Sequence, residues 1–175
     1  MVLINLGIAY RSTGQYDEAL RNLERAHRLR LDEEHGGDVA TVLVNLSRVY
    51  LETGQTADAV RTADEAVRSL RGSGRVESRA IALETLGMAH ASQQEYADAE
   101  ECFREALDAH RGLGLAWRES VTLAHLGRVQ RDIGRPDDAR ASWQLALALL
   151  DEVGEMDSTD LSRSELVDLI ESGTG

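Results

Sequence analysis

The stretch from Leu43 to Leu70, LVNLSRVYLETGQTADAVRTADEAVRSL, decides the fold. Leu43, Leu46 and Tyr50 fall at i, i+3 and i+7, and Val39 and Val42 extend the same stripe, which is the spacing of one buried helical face. Gly54 stands where that helix should stop, in keeping with the ease of glycine at positive φ. Asp58 then falls in the first turn of a second helix, where negative charge offsets the helix dipole by a few tenths of a kcal/mol. That second helix carries Ala59 and Ala66 on one face, and the small Ser47 beside Leu46 lets it approach closely. Two such stripes facing each other make a helical hairpin.

The hairpin recurs. A shift of 40 residues superimposes Leu6, Leu46, Leu86 and Leu126, then Ala19, Ala59, Ala99 and Ala139, then Ala26, Ala66, Ala106 and Ala146. Agreement at one fixed period is the signature of a repeat architecture. Beside the leucines come Gly7, Ser47, Gly87 and Gly127, and then Tyr10, Tyr50, His90 and Gln130. Gly14, Gly54 and Gly134 end the first helices, with Gln94 in that place in the third unit. Asp17, Glu18, Asp98, Asp137 and Asp138 fall, like Asp58, in first turns, and Pro136 fits only at a helix start. Glycines at Gly36 and Gly37, Gly72 and Gly74, Gly112 and Gly114, and Gly154 mark inter-repeat loops. The expected division is residues 1–154 as four repeats, about 1–35, 36–75, 76–115 and 116–154, with a tail at 155–175. Leu166 and Ile170 continue the register of Leu126 and Gln130, and Ser162 with Glu165 forms a capping box, so a short capping helix is predicted over 162–171. The first helix is already under way at Leu3 and Leu6, so its outer face is expected to be uncapped, as in a piece excised from a larger protein.

Composition agrees with an all-α class. Of 175 residues only one is Pro and one Phe, while Ala, Leu, Glu and Arg dominate, so nearly every segment prefers helix. A formal charge of −12 argues against a surface that tracks phosphates, so no direct nucleic-acid binding is expected. All 19 basic residues are Arg, which reads first as compositional bias. The lone Cys102 cannot close an intramolecular disulfide and fits a core position in a protein of the reducing cytoplasm. No apolar run approaches the roughly 18 residues needed to span a bilayer, and no membrane partner is expected. His27, His35, His90, His110 and His125 show no metal spacing, no glycine-rich phosphate loop or nucleophile elbow occurs, and the carboxylates are expected to spread over solvent faces. No metal, no cofactor and no catalytic residue is therefore assigned, and the chain does not read as an enzyme. Trp143 occupies the large packing position of its helix and is expected in the core.

In Leu3, Leu6, Gly7, Tyr10, Ala19, Leu23 and Ala26 the chain resembles the tetratricopeptide repeat family, with its large, large, small, aromatic, small, large, small pattern in order. Leu83, Leu86, Gly87, Ala99, Phe103 and Ala106 match it again, and the resemblance covers residues 2 to about 150. It departs in its 40-residue period and in losing the aromatic at His90 and Gln130. The resemblance implies a right-handed superhelical solenoid of four hairpins plus the capping helix, and a scaffold that binds a protein or peptide in its concave groove. The last unit, LGRVQRDIGRPDDARASWQLALALLDEVGE, resembles more weakly the carboxy-terminal repeats of large bacterial transcriptional regulators of the antibiotic-regulatory and NB-ARC type. That implies an alternative, a sensor or oligomerisation segment of such a regulator. The period is also similar to that of kinesin light chains and Rap-type peptide receptors.

In the family the groove is lined by the first helix of each hairpin. The face left over beside the buried stripe is Asn5, Ile8 and Ser12, then Thr41, Asn45, Arg48 and Glu52, then Ile81, Thr85, Met88 and Ser92, then Val121, His125, Arg128 and Asp132. From it Asn5, Asn45, Arg48, Thr85, Met88, His125 and Arg128, with the neighbouring Arg131, are the expected partner contacts. Asn5 and Asn45 are placed to pair with the backbone of an extended peptide, and the arginines to meet carboxylates. Reversing the charge of Arg48 is expected to leave folding intact. Family members that clamp a terminal carboxylate use groove lysines, and this chain has none. Stacking of the open first hairpin or the outer face into a homodimer is a further alternative.

Overall fold

A computed structural model describes residues 2–31, 39–153 and 162–172. Among them are nine α-helices and no strand: α1 (Val2–Ser12), α2 (Tyr16–Leu31), α3 (Val39–Glu52), α4 (Thr56–Ser69), α5 (Val76–Ser92), α6 (Tyr96–Gly112), α7 (Ala116–Asp132), α8 (Pro136–Val153) and α9 (Arg163–Ser172). The chain divides into two compact units, residues 1–94 and 95–175. Gly36, Gly37, Gly154 and His35 lie outside the described residues.

In the first unit α1 pairs with α2 and α3 with α4, while α2 packs on α3 and α4 on α5. Ile4, Ala19, Leu23, Ala26, Val42, Leu46 and Val49 are buried together, with Leu3, Tyr10 and Tyr50 half-buried against them. The small residue beside each leucine has a steric cause: a Cβ on Gly7 would stand 2.5 Å from Leu23 Cγ. Ser47 takes that place in the next hairpin, and its hydroxyl donates to the Ala59 carbonyl at 2.8 Å. There the large position of the facing helix has shrunk to Ala63, also fully buried. Small and large positions exchange volume to keep the interior dense.

In the second unit α6 packs on α7, α7 pairs with α8, and α9 lies against α8. Trp143 is 1% exposed, and its Nε1 donates to the Ala124 carbonyl at 3.2 Å. Gly127 makes room for it, since a Cβ there would approach Trp143 Cδ1 to 2.6 Å. Gln130, at the family's aromatic position, is buried and accepts from the Ser142 hydroxyl at 2.7 Å. Leu166 of α9 is fully buried. The Ser162 hydroxyl accepts from the Glu165 N–H at 3.2 Å, but the Glu165 carboxylate turns to Arg128, so only one half of the capping box forms. Cys102, expected in the core, is instead half-buried on α6 beside the buried Phe103.

The turns that close the first helices share one geometry. After α1, Gln15 N–H reaches the Tyr10 carbonyl at 2.9 Å and Gly14 N–H the Arg11 carbonyl at 3.0 Å, the paired bonds of a Schellman stop. The same pair follows α3 and α7, with Gly54 and Gly134 in the left-handed region. Gln94 adopts it too, at φ 63°. The acids expected in first turns are there: Asp17 and Glu18 in α2, Asp58 in α4, Asp98 in α6, Asp137 and Asp138 in α8. Among the described residues no helix is long and apolar enough to cross a membrane.

Candidate functional site

In the first unit α3 lies beside both α1 and α5, so three first helices form a continuous wall. Two ion pairs tie it together. Arg11 of α1 meets Glu52 of α3 at 2.5 Å, and Arg48 of α3 stands 3.9 Å from Glu84 of α5. Glu84 is 1% exposed, an inward carboxylate rather than a solvated one. It occupies the column of Ile4, Val44 and Ala124, all buried, and an acid in an otherwise apolar column is the sequence signal that marks it. Glu100 breaks the expectation of solvated carboxylates in the same way: it is 9% exposed and holds Arg104 at 2.5 Å and Arg135 at 3.0 Å.

The expected contact residues divide into three groups on this scaffold. Asn5 is exposed, and Met88 is partly so. Asn45 and Thr85 are buried, and each satisfies its own helix: Asn45 Nδ2 donates to the Thr41 carbonyl at 2.8 Å, Thr85 Oγ1 to the Ile81 carbonyl at 3.0 Å. An open amide at Asn45 and an open hydroxyl at Thr85 are thereby corrected, because a polar side chain on a covered face turns back to the carbonyl one turn earlier. Arg48 is only partly exposed and already faces an acid of the chain. Reversing its charge would set two carboxylates together, one of them buried, so such a change is expected to weaken the fold.

On α7 the structure gathers His125 and Arg128. His125 stacks on Phe103 at 5.8 Å between ring centroids, with the planes 10° apart. Arg128 donates to His125 Nδ1 at 3.3 Å and also holds Glu165 of α9. The first contact requires an unprotonated Nδ1, which a neutral imidazole supplies. Arg131 is the more open cation, with Asp132 at 3.1 Å and the face of Trp143 at 5.9 Å. Near the wall, the Tyr50 hydroxyl is pushed above its ordinary pKa, first by burial and then by Glu24 and Asp58, with Arg61 opposing.

Comparison with known proteins places these features in a family. Solved structures with the same fold include BtubC (BKLC) from P. vanneervenii, at a TM-score of 0.81 and 16% identity over 98% of this chain and 70% of that one. A putative kinesin light chain from Podosopora anserina with nearly identical TPR-like repeats aligns at 0.77 and 17% identity, over 98% and 83%. A Rap protein complexed with Competence and Sporulation Factor aligns at 0.83 and 15% identity, over 98% of this chain but 47% of its own. No curated protein sequence matches the chain. The sequence profile of the tetratricopeptide repeat matches residues 1–72 and 78–152, and the chain belongs to that family.

Proposed function

We propose that the chain is a non-enzymatic scaffold that holds a protein or peptide against the wall of α1, α3 and α5, with the His125, Arg128 and Arg131 patch of α7 as a second contact area. The observation that carries this reading is the mixed surface that the wall keeps open. Asn5, Ser12, Glu52 and Ser92 are exposed, while Ile8, Thr41, Ile81 and Met88 are partly so, a blend of apolar and polar contacts that suits an extended chain. Family membership and a Rap neighbour complexed with Competence and Sporulation Factor support a protein or peptide partner. The working divisions are repeats at about 1–35, 36–75, 76–115 and 116–154 with a capping tail, and the single thiol favours a cytoplasmic setting.

The test is capture from the chain's own cell extract with wild type, with an Asn5→Ala, Met88→Glu variant, and with Arg61→Ala on the exposed surface of α4 as control. A protein retained by wild type and Arg61→Ala but lost with the wall variant supports the reading. Equal retention by all three removes the wall as the contact surface. The alternative is a sensor or self-association segment of a larger regulator. A dimeric mass by light scattering together with absent capture would point to it.

A further inference from the structure

We propose that the outer face of α8 is a docking surface for an amphipathic helix of another protein, one with an apolar centre and basic residues near both ends. The repeat supplies the comparison. In α2 the outward positions are Arg21, Glu24, Arg25 and Arg28, all exposed. The same register in α4 holds Arg61, Asp64, Glu65 and Arg68, and in α6 it holds Glu101, Arg104, Glu105 and Asp108. Every one of these is charged. In α8 the register reads Ala141, Gln144, Leu145 and Ala148, which carry no charge although all are exposed, Leu145 by 44%. A single exposed leucine is ordinary on a protein surface. Loss of charge from a whole solvated helix face is not, whereas a face that a partner covers sheds charges because binding would have to strip them of water.

Ala141, Leu145 and Ala148 fall at i, i+4 and i+7 and form one stripe. The two alanines leave recesses on either side of Leu145, where larger apolar side chains of a crossing helix can seat. The stripe ends in acids. Asp137 lies one turn before Ala141 and Glu152 one turn after Ala148, and both are exposed. Beside them Asp138 and Asp151 are held by Arg135 at 2.7 Å and Arg163 at 2.9 Å. Glu152 stands in the last turn of α8, where the helix dipole disfavours an acid, so the helix itself gains nothing from it. Along the axis Asp137 and Glu152 are about 22 Å apart at the rise of an α-helix.

The acids decide the occupant. Were α8 of a second copy to lie on this face, Asp137 would meet its own counterpart in a parallel pair and Glu152 in an antiparallel one, so like charges would oppose at both ends in either arrangement. An anionic lipid surface is disfavoured by the same acids. A helix with Arg or Lys near both ends and Leu or Ala between them sets apolar centre on apolar centre and cation on acid. The surface shares no residue with the first-helix wall and stands or falls without it.

The test is fluorescence anisotropy on the whole chain with a labelled helical peptide of about 18 residues, Leu and Ala along one face and Arg near both ends, and with its counterpart carrying Glu for Arg. Wild type is expected to bind the first and not the second, less tightly as salt is raised. Leu145→Glu restores the residue type of Glu65 and Glu105. It should lower affinity by about tenfold or more with circular dichroism unchanged, although it adds an acid beside a basic-ended peptide. Ala148→Asp, after Asp108, should act alike and serves if Leu145→Glu does not fold. Asp137→Asn combined with Glu152→Gln should weaken binding severalfold and flatten its salt dependence. Glu101→Gln, on the outer face of α6, should bind as wild type. No binding by wild type, undiminished binding by Leu145→Glu, or an equal loss in Glu101→Gln would overturn the surface. Equal binding of the two peptides, or a dimeric mass by light scattering that Leu145→Glu returns to monomer, would overturn its assignment to a basic-ended partner helix.

Discussion

Gln94 holds φ at 63° where Gly14, Gly54 and Gly134 hold 73°, 74° and 77°. A side chain in the left-handed region costs about 1–2 kcal/mol per residue, and glycine escapes that cost. Gln94→Gly is expected to stabilise the chain by about 0.5–1 kcal/mol, read from the midpoint of urea unfolding. A loss of stability would show that the glutamine side chain contributes more than its backbone costs. The opposite sign is expected at Gly127→Ala. The new methyl would meet the Trp143 ring at 2.6 Å, and the ring is 1% exposed and tied to the Ala124 carbonyl, so it has nowhere to withdraw. Overpacking of this kind costs about 1–3 kcal/mol. A variant that unfolds at the parent's urea midpoint would show that the helices separate at little cost. At this scale the column of small residues was legible in the sequence. The reciprocity was not: Ser47 is tolerated because Ala63 replaces the large partner, a fact of two helices in space rather than of one column.

Between elements, the tie of α3 to α5 is the pair of Arg48 and Glu84. Removing one partner of a buried pair weakens the compensation of the charge that remains, whereas replacing both by apolar groups is often neutral. Arg48→Ala is therefore expected to destabilise the chain by about 1 kcal/mol or more. Arg48→Met combined with Glu84→Leu should recover most of it, as measured by urea unfolding of the singles and the double. Equal destabilisation in single and double variants would mean that Arg48 acts through packing of its stem and not through charge. Tyr50 gives the pH dependence of the same region. Its folded pKa is raised above the ordinary 10.0, so the native state holds the phenolic proton more tightly than the unfolded chain does. That contribution is whole below about pH 10 and is lost as pH rises through the folded value. Tyr50→Phe should flatten the fall of stability above about pH 10 relative to wild type, and parallel curves would refute the link.

For the molecule as a whole, the helices, their stops and their first-turn acids were legible because each is set by spacing along one chain. The site was legible only in outline. Asn5 and Met88 remain open, but Asn45 and Thr85 are buried and Arg48 faces Glu84, because the leftover face of one helix is partly covered by others and a single helix does not reveal its neighbours. The terminal helix shows the same limit. Its register and its Ser162 cap were readable, whereas the reach of Glu165 to Arg128 was not. What α9 contributes follows from Leu166, fully buried while Val167, Leu169 and Ile170 of the same helix are only partly so. A solenoid end left bare exposes the apolar face of its last hairpin, so a terminal cap supplies stability out of proportion to its length. Leu166→Ala is expected to cost about 2–5 kcal/mol. Both tryptophans of the chain, Trp117 and Trp143, lie in the unit that contains α9, so their fluorescence during urea unfolding reports on that unit. Asp168→Ala, on the exposed side of the same helix, should stay within about 0.5 kcal/mol of wild type. If Leu166→Ala shifts the tryptophan-detected midpoint no further than Asp168→Ala does, α9 rests on its hairpin without stabilising it, and the cap is not part of the cooperative fold.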